Sequence, residues 1–100
     1  MQMEDLIPAD EFCIHHEVEF SFINSLEEFG LVEITTLNDT EFIPVNQLHE
    51  LEKFIRLHYE LDINLEGIEA IDHLLQRIKT MQNEITILKN RLRLYESMNE

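Results

Sequence analysis

Glycine and proline are scarce in this chain of 100 residues, with two of each, cysteine occurs once, and tryptophan is absent. Few glycines and prolines leave little punctuation for loops and favour long helices. A lone Cys13 excludes any intramolecular disulfide and gives no sign of an oxidising compartment, so a cytoplasmic location is expected. The N-terminus, Met-Gln-Met-Glu-Asp-Leu-Ile-Pro, has neither a basic region nor an apolar stretch, and no segment nears the roughly 18 unbroken apolar residues of a membrane span. The largest gap is in positive charge: no Lys or Arg precedes Lys53. Residues 1–70 hold two cations, Lys53 and Arg56, against 17 acids, whereas residues 71–100 hold five cations and four acids. The net charge is -14. Binding to nucleic acid requires cations that displace counterions from phosphates, so the first half should repel DNA. An acidic surface confers solubility and favours a basic protein partner through steering and complementarity.

What is present is ordinary globular material, 44% hydrophobic and 28% charged, and the chain should fold. A core of this size is marginal alone, so burial against a second copy or a partner is expected. Pro8 opens a first helix running to about His16, with Phe12, Cys13 and Ile14 as its apolar segment and a break at Glu17. A second helix from about Glu19 repeats Ile23, Leu26 and Phe29, widened by Phe22, and stops at Gly30. Two short helices with a tight joint suggest a helix-turn-helix. Leu31 to Leu37, the turn pair Asn38-Asp39, and Thr40 to Ile43 suggest a small β-hairpin, or wing. Pro44 is expected to begin a third helix with the stripe Leu48, Leu51, Ile55 and Tyr59, flanked by Phe54, Leu57 and Leu61. Asn64 is placed to cap a last helix that nothing after Gly67 forces to end.

That last helix has the clearest periodicity in the chain. Ile71, Leu74, Ile78, Met81, Ile85, Leu88, Leu92 and Tyr95 alternate steps of three and four, the a and d positions of heptads, with Arg77, Glu84 and Arg91 at g. A helix this long exceeds what a domain of some 70 residues covers, and a coiled-coil homodimer is the natural solution. The expected fold class is mainly α, a winged helix-turn-helix with a small hairpin and a long C-terminal coiled-coil helix. The expected division is a protein-binding domain over residues 1–63 and a dimerisation helix over residues 64–100.

No enzyme chemistry is legible. Cys13, His15 and His16 lie together, but adjacent histidines on a helix diverge by about 100° and no second ligand pair follows. His49 with Glu52 and His73 with Arg77 share helix faces without completing a tetrahedral set, and His58 lies beside Tyr59. There is no EF-hand loop, Gly-rich phosphate loop or positioned nucleophile, so no metal, cofactor or catalytic residue is expected.

Glu11-Phe12-Cys13-Ile14-His15, the Glu28-Phe29-Gly30-Leu31-Val32-Glu33 junction, and Ile55-Arg56-Leu57-His58-Tyr59-Glu60-Leu61-Asp62 followed by Gly67-Ile68 resemble, in this order and spacing, the CbpM-like chaperone modulators within the MerR-like winged helix-turn-helix family. The resemblance covers almost the whole chain. It implies binding to the J-domain of a CbpA-like co-chaperone of the DnaJ type and inhibition of its action with DnaK. The chain departs from MerR-like DNA binders where they carry an Arg-Tyr-Tyr-like element, having Asn24-Ser25-Leu26, and it has Glu17 at the usual turn glycine. The J-domains of this class present a basic helix to DnaK, so the candidate contacts are Glu17, Glu19, Glu27 and Glu28 around the second helix, Asp39 and Glu41 on the wing, and Phe20 as an apolar anchor, with Arg56 and Tyr59 as an alternative surface. A MerR-like DNA-binding regulator and a coiled-coil adaptor without a J-domain partner remain as alternatives.

Overall fold

The computed structural model describes residues 5–98. It contains β1 (Leu6–Pro8), α1 (Ala9–His16), α2 (Phe20–Glu28), β2 (Thr35–Leu37), β3 (Thr40–Pro44), a 3₁₀ turn (Val45–Gln47), α3 (Leu48–Ile55), a π turn (Arg56–Glu60) and α4 (Leu65–Met98). The chain divides into two compact units between Glu69 and Ala70.

In the first unit the two opening helices end in the same way. At α1 the N–H of Val18 bonds the carbonyl of Cys13 and that of Glu17 bonds Ile14; at α2 the N–H of Leu31 bonds Leu26 and that of Gly30 bonds Glu27. Both are Schellman closures, which need one left-handed residue just past the helix. Gly30 supplies it at φ 77° without strain, but Glu17 holds φ 56° despite its Cβ. The expected break at Glu17 and stop at Gly30 are therefore both present.

The hairpin turns on Asn38 and Asp39 at φ 50° and 63°, the paired positive values of a type I′ turn. It is shorter than the sequence suggests. Residues 31–34 are not strand: Leu31 is engaged in closing α2, and the Gln47 side chain takes both backbone groups of Glu33, accepting from its N–H at 2.8 Å and donating to its carbonyl at 2.9 Å. The ladder thus begins at Thr35, opposite Phe42. Beyond the hairpin lies a strand the sequence reading missed, β1, antiparallel to β3 with Ile7 opposite Ile43, giving the sheet order β1-β3-β2. Pro44 closes β3 in an extended conformation, with ψ 135°, instead of starting a helix, and the 3₁₀ turn intervenes before α3.

The core is built from Phe54, Ile23, Leu26, Ile43, Leu51 and Ile68, all fully buried. Full burial of each such side chain contributes about 1.5–3 kcal/mol. Ile14, expected to join Phe12 and Cys13, is instead 77% exposed, because residues 12 and 13 occupy the inward arc of α1 and the next residue rotates out. Phe29 is half-buried and Tyr59 exposed. The π turn explains the departure of Tyr59 from its expected stripe: Leu61 donates to the carbonyl of Arg56, five residues back, which widens the turn and shifts the phase of the helix after Ile55.

Asn64 opens α4 as expected, its Oδ1 accepting from the N–H of Gly67 at 2.8 Å. The first turn of α4 belongs to the first unit through Ile68. The helix has 34 residues, about 51 Å at roughly 1.5 Å per residue. In the second unit every described residue from His73 onward is exposed. No helix among the described residues is long and apolar enough to cross a membrane.

Candidate functional site

Three of the residues expected to meet a partner converge. Phe20, at the first position of α2, and Asp39 and Glu41, at the tip of the wing, line one cleft of about 330 Å³ together with Ala9, Asp10 and Thr40. The I′ turn carries Asp39 on the hairpin tip and the β2–β3 register sets Glu41 opposite Thr36. Phe20 is half-buried and packs against the core, so one aromatic wall and three carboxylate residues line the same cleft. A cationic side chain with an apolar stem matches such a cleft, since it can lay its methylenes on the ring and its charge among the acids. The part played by Asp10 was not read from the sequence, where its position in the first turn of α1 accounts for its charge.

The other candidates lie apart from the cleft. Glu17 is exposed at the left-handed joint between α1 and α2. Glu19, just before α2, donates its backbone N–H to the Tyr59 hydroxyl at 3.4 Å, and its carboxylate accepts from the Ser21 hydroxyl at 3.4 Å. Glu27 and Glu28 stand at the far end of α2 from Phe20. Arg56 pairs with Glu60 at 3.8 Å and lines a separate groove of about 230 Å³ with Lys53, Leu57, Glu60 and Leu61.

The histidines fall into two groups. His16 stacks on Phe12 with ring centres 4.2 Å apart and reaches Glu52 at 4.0 Å, so Glu52 faces α1 rather than pairing with His49. With His15, Glu11, Ile7, Phe12 and Leu48 it lines a groove of about 390 Å³. His58 stacks nearly parallel on Phe22 at 4.5 Å, and its Nδ1 lies 2.9 Å from the carbonyl of Ile63; because a carbonyl only accepts, Nδ1 carries the proton. Cys13 is buried and its thiol pKa is raised, first by desolvation and then by the charge of Asp10, the opposite of an activated nucleophile. Among the described residues no group of three or more His, Cys, Asp or Glu could hold a metal ion.

On α4, Ile71 is half-buried, while Leu74, Ile78, Met81, Ile85, Leu88, Leu92 and Tyr95 are each between 44% and 65% exposed. From Leu74 to Tyr95 these residues form an exposed apolar stripe along α4.

The family described as MerR HTH family regulatory protein matches residues 7–90. Two curated relatives named Chaperone modulatory protein CbpM are similar: that of Pseudomonas entomophila (strain L48) is 26% identical over 91 residues, and that of Pseudomonas putida (strain W619) is 26% identical over 87 residues, each alignment covering 86% of both chains. No solved structure matches significantly. These relatives carry the names of regulators and modulators rather than enzymes. With its helix-turn-helix, its three-stranded wing and a family match spanning most of its length, this chain belongs to the MerR helix-turn-helix family of regulatory proteins and, within it, is similar to CbpM chaperone modulators.

Proposed function

We propose that this protein is a chaperone modulator that binds the J-domain of a CbpA-like co-chaperone and inhibits its action with DnaK. The observation that carries the reading is the cleft in which Phe20 meets Asp10, Asp39 and Glu41, in a region without a Lys or Arg before Lys53. A basic helix of a J-domain suits that cleft in charge, and its occupation would withhold the helix from DnaK by competition. The similarity to CbpM proteins over 86% of the chain supports a chaperone-modulating role. In this reading the first unit is the protein-binding module. The second unit is the dimerisation helix, pairing with a second copy through Ile71, Leu74, Ile78, Met81, Ile85, Leu88, Leu92 and Tyr95, and each dimer presents two acidic clefts.

The test is calorimetric titration of the full chain with the isolated J-domain of its own cell's CbpA-like co-chaperone, at low and at physiological salt. Saturable binding that weakens with salt is expected, and the double reversal Asp39→Lys with Glu41→Lys should reduce affinity at least tenfold. Reversal of Glu27 and Glu28, outside the cleft, should change it far less. Absence of binding by calorimetry and by a second, non-calorimetric method would remove this partner. If Glu27 and Glu28 proved the sensitive pair, the interface would move to the other end of α2.

The family match favours a second reading, a DNA-binding regulator. It predicts salt-sensitive retention on duplex DNA. The carboxylates on the wing tip and the shortage of cations in the first unit weigh against it.

A further inference from the structure

The helix α2 begins without a local cap. Glu19 at the N-cap bonds the Ser21 hydroxyl but caps no backbone N–H of the helix with its side chain, and the first turn contains no acidic residue. Within the turn the N–H of Phe22 bonds the Glu19 carbonyl at 3.1 Å, but an N-terminus without a side-chain cap keeps other N–H groups unsatisfied and is prone to fray. What meets it comes from 40 residues away: the Tyr59 hydroxyl accepts from the N–H of Glu19 at 3.4 Å. The ring of Tyr59 stands edge-on to Phe22 at 5.5 Å and to His58 at 4.9 Å, while His58 lies flat on Phe22 at 4.5 Å. Two consecutive residues of the π turn thus contact the start of α2, both at Phe22 and one also at the Glu19 N–H. His58 is fixed in turn by its bond to Ile63, on the far side of the left-handed Asp62. An ordinary α-helical turn would keep residue 59 in the phase of Ile55, four residues earlier; the extra residue in the turn brings it to α2 instead.

We infer that Tyr59 is a positioning residue: delivered by the π turn to the backbone of Glu19, it fixes the first turn of α2 and so the orientation of Phe20 in the acidic cleft. This rests on the reading of the cleft as the partner-binding site, and it gives Tyr59 a role other than direct contact. Phe20 is the next residue after Glu19, so any swing of that turn moves the aromatic wall relative to Asp39 and Glu41 on the wing.

The experiment compares the full-length wild type, Tyr59→Phe, and Tyr59→Phe combined with Glu19→Asp. The single variant removes one oxygen and keeps the ring contacts. Hydrogen exchange at the Glu19 amide should rise about three- to tenfold, as for the loss of one net hydrogen bond, with α3 and α4 amides unchanged. J-domain affinity should fall by a similar factor. Aspartate at position 19 supplies a local cap while keeping the negative charge, so the double variant should recover most of that affinity. Unchanged exchange at Glu19 in Tyr59→Phe, or an affinity loss that Glu19→Asp fails to rescue, overturns the inference, the second outcome making Tyr59 a contact residue. The exchange measurement needs no partner: if no variant and no wild type binds the J-domain, the functional reading fails while Glu19 exchange still decides whether Tyr59 holds α2.

Discussion

Glu17 offers a direct test of the local physics. It occupies the left-handed position of a Schellman closure at φ 56° and ψ 45°. A Cβ there costs about 1–2 kcal/mol, and glycine removes that strain while adding about 0.4–1 kcal/mol of unfolded-state freedom. Glu17→Gly should therefore stabilise the protein by roughly 0.5–1 kcal/mol, a rise in Tm of about 3–6 °C for a domain of this size. Glu17→Gln separates strain from charge, since it keeps the Cβ and removes the carboxylate from the negative end of α1. The reciprocal change is Gly30→Ala: a Cβ at Gly30 would meet nothing within 4 Å, so its loss, about 1 kcal/mol, is conformational alone. Thermal and urea unfolding followed by circular dichroism would measure all three, at one fixed protein concentration because pairing of copies would shift the midpoint. A lower Tm for Glu17→Gly, or a Gly30→Ala variant equal to wild type, would refute the reasoning.

Other changes probe separate features. Replacing Ile78 and Ile85 with Asp should convert a dimer to a folded monomer in sedimentation equilibrium; a dimer that survives both would remove the proposed seam. Gly67→Ala should destabilise by about 1–2 kcal/mol despite alanine's helix propensity, because the new Cβ would stand 2.7 Å from Ile63 Cγ2 and 3.1 Å from the capping Asn64 Oδ1. Gln47→Ala should lower stability by about 1–2 kcal/mol in urea titration, having released both backbone groups of Glu33. Burial raises the Cys13 pKa in the folded protein, so the unfolded thiol ionises first: this group's contribution to stability is complete below its ordinary value of 9.0 and falls as pH rises through the folded value. Native Cys13 should accordingly react with a thiol reagent far more slowly than the unfolded chain, and equal rates would contradict its burial.

Much of this fold is written locally. Gly30, the Asn38-Asp39 pair and Asn64 each specify a stop, a turn or a start through their own backbone or side-chain chemistry, and each does so in the structure. The last helix is legible because its apolar residues keep a helical period from Ile71 to Tyr95, and α4 spans that stretch in the structure. The misreadings arise where a distant residue decides. Glu33 is kept from the ladder by Gln47, β1 exists only because β3 pairs with it, and Tyr59 leaves its stripe through a π turn that no periodicity announces. Phe20, Asp39 and Glu41 are individually legible as candidates, by exposure pattern and by the place of Phe20 beside the α2 stripe, but their meeting in one cleft with Asp10 is set by the tertiary fold.

The pairing of β1 with β3 also sets an order of events during synthesis. The β2–β3 hairpin closes over two residues, but Leu6 must wait for Pro44. At about 5–20 residues per second, that interval is roughly 2–8 s, during which both opening helices emerge ahead of the central strand. Loop closure over this distance is paid only once β3 exists, so the hairpin forms first and the N-terminal strand zips onto it last. Pro8, which has no N–H to offer, makes the waiting strand a poor template for a neighbouring nascent chain.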